Sequence, residues 1–187
     1  MLSAEIGGIE RVETATGRWR LFILLASSAF ILYHVLYISE FFILATPIII
    51  SPNFHLGIHL ASTLFLTFLL VRVRKSTKTA TPPIYDILIA FAVLVIPLYY
   101  SFNFNEIFAR AGQETLLYSI FGWVLALLLL EATRRTLGIT FTCVVIFFLV
   151  YPIISRYFPG VLYHPGVSFL WLGEYYFMSY DGIFSFV

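Results

Sequence analysis

The sequence predicts an all-α membrane protein: five transmembrane helices and a shorter aromatic helix lying in the membrane boundary. Three observations carry this. Hydrophobic residues make up 60% of the 187-residue chain and charged residues only 11%. A soluble domain carries about a quarter charged residues, so this chain cannot clothe itself for water and must use lipid as part of its solvent. Five uncharged or nearly uncharged runs approach the roughly 17–25 residues that a helix needs to cross the hydrocarbon core. The basic residues gather between alternate runs.

Residues 1–18 form a polar segment of mixed charge, expected in the cytoplasm. The apolar run that starts at Leu21 does not end in a small-residue cleavage site, so it reads as an anchor and not a removed signal peptide. Its helix is expected over 21–39, with Trp19 at the cytoplasmic interface and a small-residue patch at Ala26-Ser27-Ser28-Ala29. Residues 41–50 are too short to span and are broken by Pro47, which suits an interfacial or re-entrant segment. Ser51-Pro52-Asn53 suits a helix start, and the second helix is expected over 54–71. Residues 72–83, with Arg72, Arg74, Lys75, Lys78 and Pro82-Pro83, read as a solvated loop.

The third helix is expected over 84–102, then a loop over 103–114. The fourth is expected over 115–132, then a short turn at 133–136. The fifth is expected over 137–155. Beyond it, Pro159-Gly160 and Pro165-Gly166 break the chain. Trp171, Tyr175, Tyr176 and Phe177 place an amphipathic helix over 168–180 in the boundary, where rings with a polar edge concentrate.

Nine of the eleven Lys and Arg residues fall on one side of this arrangement and only Arg110 and Arg156 on the other. The basic side is cytoplasmic, so the N-terminus is expected inside and the aromatic C-terminal stretch outside. The net charge of +1 gives no reason to expect nucleic acid as a partner; the lipid bilayer is the partner expected. The single cysteine, Cys143, excludes an internal disulfide and a thiolate cluster.

Acids near membrane spans are costly and informative. Asp86 lies in the first turn of the third helix. Its functional reading is an ion ligand; the favoured one is a carboxylate stabilised by the helix dipole. Glu131 precedes Arg134 and Arg135 at i+3 and i+4, on one helix face. The group could fasten the turn that follows or dock onto a neighbouring subunit, and a structural anchor is the favoured reading. His55 and His59 share a face at i, i+4, a spacing that can bind metal, but two ligands alone favour ordinary interhelical hydrogen bonding, as for His34. Gly122 and Ala126 form a small-xxx-small pair that lets helices approach closely. No phosphate loop, nucleophile elbow or redox motif is present, so no enzyme and no cofactor is expected.

The run from Leu127-Leu128-Leu129-Leu130-Glu131-Ala132 to Thr133-Arg134-Arg135-Thr136-Leu137-Gly138 resembles a hallmark of the fused membrane components of tripartite ATP-independent periplasmic (TRAP) transporters that use TAXI-type binding proteins. Other pieces stand in the family's order: Ile58-His59-Leu60, Tyr85-Asp86, Arg110-Ala111-Gly112, Tyr157-Phe158-Pro159-Gly160, Tyr163-His164 and Asp181-Gly182-Ile183-Phe184. The resemblance runs from about residue 20 onward. It implies a four-helix small component over 19–136, and over 137–187 the fifth helix and boundary segment that open the large transport component.

The resemblance further implies a large transport component and a periplasmic solute-binding protein of TAXI type as partners. It implies a multi-pass location in a prokaryotic plasma membrane. The chain departs from the fused pattern by stopping at Val187, before the substrate-binding hairpins. A separate chain or a continuation of this one would supply them, and this chain alone would not transport. The expected function is therefore a membrane scaffold for ion-gradient-driven uptake of a small solute. The alternative is a small self-assembling channel or a membrane-stability protein. Structural or interface candidates are Asp86, Glu131, Arg134, Arg135, His59 and Trp19.

Overall fold

Helix boundaries in this chain follow local chemistry more closely than hydropathy. The computed structural model describes residues 17–46, 49–71, 83–110, 112–113, 115–178 and 182–185. The polar segment before residue 17, all of the basic loop at 72–82 and Asp181 lie outside the described residues. The helices are α1 (Gly17–Ile38), α2 (Phe41–Ala45), α3 (Pro52–Leu70), α4 (Ile84–Ala109), α5 (Leu116–Thr136), α6 (Ile139–Ile154) and α7 (Phe169–Met178). Five spans, on α1, α3, α4, α5 and α6, are long and apolar enough to cross a membrane. The chain divides into two compact units, residues 1–104 and 105–187.

In the first unit, α2 has only five residues, so the 41–50 stretch does not span. Ser51 caps α3, its hydroxyl accepting from Phe54 N at 3.2 Å with Pro52 in the first turn. Proline's missing N–H costs nothing there. α3 and α4 meet closely at Gly57: a Cβ there would overlap Ser101 Oγ and lie 2.7 Å from the Pro97 carbonyl. Ser101 Oγ–H points to Pro97 O at 3.0 Å and to Phe54 O at 3.2 Å. Phe65 and Phe91 pack edge to face at 5.4 Å.

α4 runs seven residues past the expected end at 102. Asn103 leaves helical geometry (φ −116°, ψ 15°), but its side chain donates to Tyr99 O at 3.0 Å. The helix kinks without ending. Glu106 and Arg110 pair at 2.7 Å, and Gly112 takes a left-handed φ of 81°.

In the second unit, the turn expected at 133–136 is helical. α5 continues to Thr136, and the break falls at Leu137 and Gly138, with Gly138 at φ 89°. Glycine takes that left-handed region without strain. Arg134 and Arg135, paired back to Glu131, hold the last turn in place. α6 ends in a 3₁₀ turn, Ser155–Tyr157. The segment after it is stitched to α6: Ser155 Oγ donates to Pro152 O at 3.1 Å and to His164 O at 3.3 Å, and Val167 N donates to Pro152 O at 3.1 Å.

α7 falls within the expected 168–180. It is no free-standing surface helix, because Leu172, Gly173, Glu174, Tyr176, Phe177 and Met178 are all buried. It packs against α5, where Ala126, Leu172 and Tyr176 form a core.

Candidate functional site

The charged run at the end of α5 folds into one cluster. Glu131 receives Arg134 through both carboxylate oxygens, at 2.7 and 2.8 Å, and Arg135 Nε on Oε1 at 2.8 Å. The spacing predicts this, since i+3 and i+4 side chains are neighbours on a helix. The asymmetry was not predicted: the Arg134 and Glu131 side chains are 34% and 31% exposed, Arg135 only 1%. A two-point guanidinium–carboxylate contact fixes geometry as well as charge. Both arginines are thereby tied to one carboxylate at the end of α5.

Asp86 stands in the first turn of α4, where the dipole favours a carboxylate. It is fully buried, which a solvated cap would not need. Trp19 is half-buried in the first turn of α1, edge to face with Phe22 at 5.8 Å.

His59 belongs to a cluster. His34 Nε2 and His59 Nδ1 are 2.8 Å apart, and His34 Nδ1 is 2.9 Å from Phe30 O. The interhelical hydrogen bond expected of His34 is thus made to α3. His55 Nδ1 lies 3.2 Å from Tyr33 Oη, and its ring stacks on Tyr37 at 3.6 Å, 4° from parallel. Among the described residues, no three His, Cys, Asp or Glu side chains are placed to hold a metal ion. The facing nitrogens of His34 and His59 are already engaged with each other. An apolar cavity of about 270 Å³ adjoins the cluster, lined in part by Ala26, Phe30 and Tyr33 of α1 and Ile58 and Ser62 of α3.

What covers the Gly122 face and what caps α5 both escaped sequence reading. Gly122 meets α7 at Gly173, whose carbonyl oxygen a Cβ on Gly122 would overlap. Trp123 stacks on Phe169 at 4.3 Å and donates to its carbonyl at 2.9 Å. Glu174, buried on α7, accepts from Thr115 N at 3.1 Å. It thereby caps α5, whose own Thr115 side chain makes no cap. The other carboxylate oxygen of Glu174 is buried, with no hydrogen-bond partner among the described residues. A contact 59 residues apart in sequence leaves no mark in local spacing.

Comparisons with models of protein families, with curated proteins and with solved structures find no match. The fold itself goes as far as a class: a helical protein in which, among the described residues, five helices are long and apolar enough to cross a membrane, as in an all-α membrane protein.

Proposed function

We propose that this chain is the membrane scaffold of an ion-gradient-driven secondary transporter, resembling the small component and the opening of the large component of a TAXI-associated TRAP transporter. It holds a large transport component in a prokaryotic plasma membrane. It also offers a surface to the periplasmic protein that delivers a small solute. The observation that supports this most is the Glu131–Arg134–Arg135 cluster. It sits in the run that carries the resemblance, and its carboxylate is taken up by two guanidinium groups, one of them buried. Such a group anchors; it is not poised to release a solute. An ion gradient is the drive, since the sequence has no nucleotide-binding motif.

Reconstitution tests the reading. The full chain goes into liposomes with its binding protein, with and without a large transport component encoded in a neighbouring reading frame. Uptake is expected only when the large component is present and a sodium or proton gradient is imposed. Uptake by this chain alone, or ion conductance by a self-assembled form, overturns the proposal. The basic asymmetry adds an orientation, with the 72–83 loop in the cytoplasm. After Cys143 is replaced, a cysteine at Ser76 should resist impermeant reagents in intact cells and react once the membrane is opened.

A further inference from the structure

The hydrogen bonds of His34 and His59 fix where their protons lie. A backbone carbonyl can only accept, so the 2.9 Å contact from His34 Nδ1 to Phe30 O requires a proton on Nδ1. A neutral imidazole carries one N–H. His34 Nε2 is then a bare lone pair. Across the 2.8 Å contact, His59 Nδ1 must supply the hydrogen, which leaves His59 Nε2 bare in turn. One backbone oxygen therefore sets the tautomer of both rings, on helices α1 and α3.

We propose that His34 and His59 form a single proton-binding site, two rings that take up one proton between them. The incoming proton forms an N–H bond at His59 Nε2. The charge then rests on His59, with Nδ1–H donating to His34. Alternatively, the shared hydrogen crosses: its bond to His59 Nδ1 breaks, one to His34 Nε2 forms, and the charge rests on His34. Either way a neutral hydrogen bond becomes a charge-assisted one, which is stronger. A second proton is refused, because both facing nitrogens would carry hydrogens aimed at each other across 2.8 Å.

The surroundings fit a site for one positive charge. α1 brings Tyr33 and Tyr37, and α3 brings His55, whose ring lies 4.9 Å from His34 and 6.3 Å from His59. A charged His55 would repel the occupied pair. α2 reaches the group through Phe42 against Tyr33, and α4 brings Leu94 to the adjoining cavity. Among the described residues, no acid is seen to face the pair. His59 lies on the surface of this chain and His34 is half-buried. The assignment stands on this geometry and is independent of the transporter reading.

The test is solid-state NMR of the full chain, ¹⁵N-labelled at histidine, in lipid bilayers, with His34→Gln and His59→Gln used only to assign signals. At alkaline pH both rings should be protonated on Nδ1, with a through-hydrogen-bond coupling between His34 Nε2 and His59 Nδ1. On acidification both rings should change in one transition, with the coupling kept. Two separate transitions, loss of the coupling at the first protonation, or a His34 ring protonated on Nε2 at alkaline pH each overturn the assignment.

Discussion

The carbonyl of Gly173 in α7 lies against Gly122 in α5 so closely that no side chain fits between them. A Cβ on Gly122 would overlap the Gly173 oxygen, and one on Gly173 would come within 2.5 Å of Ser119 Oγ. In lipid, packing of this kind replaces the hydrophobic drive for helix association. Gly122→Ala should therefore push α7 off α5. The expected cost is about 1–3 kcal/mol, the range for overpacking, since the obstacle is backbone and cannot rotate away. Thermal unfolding in mild detergent measures it. Trp123, stacked on Phe169, should report the loosening by fluorescence. An unchanged melting temperature would show that α7 docks by other means.

Removing the Glu131 carboxylate should cost more than removing Arg134. Glu131→Gln takes the carboxylate from Arg135, whose side chain is 1% exposed, although Arg135 keeps its other contacts. Exposed pairs contribute about 0–1 kcal/mol, and breaking a buried pair costs roughly 3–5 kcal/mol. Glu131→Gln should fall between these limits, and Arg134→Ala near the lower one. In an assembled transport complex, the sodium and pH dependence of uptake should stay as in wild type. A normal melting temperature with altered ion dependence would mean that the cluster is a ligand site instead.

Glu174 should act on α5 through its acceptor oxygen. Glu174→Ala leaves the Thr115 N–H without its partner, at a cost of about 1–3 kcal/mol. Glu174→Gln keeps an acceptor and should recover most of that. Hydrogen exchange at the Thr115 amide reads the cap directly. Equal exchange in the wild type and the alanine variant would remove Glu174 from this role.

Tyr176 gives a dependence on alkaline pH. Its hydroxyl donates to Leu149 O at 2.7 Å. Burial first, then the charge of Tyr175, pushes its pKa up to about 12. The folded state thus favours the protonated phenol. That contribution is complete below the ordinary tyrosine value of about 10 and is lost as pH rises from there toward 12. Tyr176→Phe should be less stable at neutral pH and should lose less between pH 10 and 12. Parallel melting curves for the two proteins across that window would contradict it.

The spans were legible because crossing lipid demands length and the absence of charge, and both are local. Glu131 with Arg134 and Arg135 was legible for a similar reason, as helix spacing alone brings them together. The ends were less so. Asn103 reads as a loop start, yet its amide finds Tyr99 O and α4 goes on. Arg134 and Arg135 read as a turn, yet α5 runs on to Thr136 and the break falls at Gly138, two residues further on. The Gly122 face was visible as small residues, but not what covers it. A helix in lipid can be apolar all round, so hydropathy does not mark its packed side. His34 and His59 are 25 residues apart, and only the pairing of α1 with α3 joins them.

α5 passes into α6 through Leu137 and Gly138 alone, yet much of the cohesion of this unit bypasses that link. Thr115 is held by Glu174, Trp123 by Phe169, and Leu149 by Tyr176. The first two contacts join pieces of chain on opposite sides of the link. A peptide bond cut there would thus leave the two fragments clasped, migrating as one particle until denaturant parts them. Chain continuity at that point serves synthesis more than cohesion.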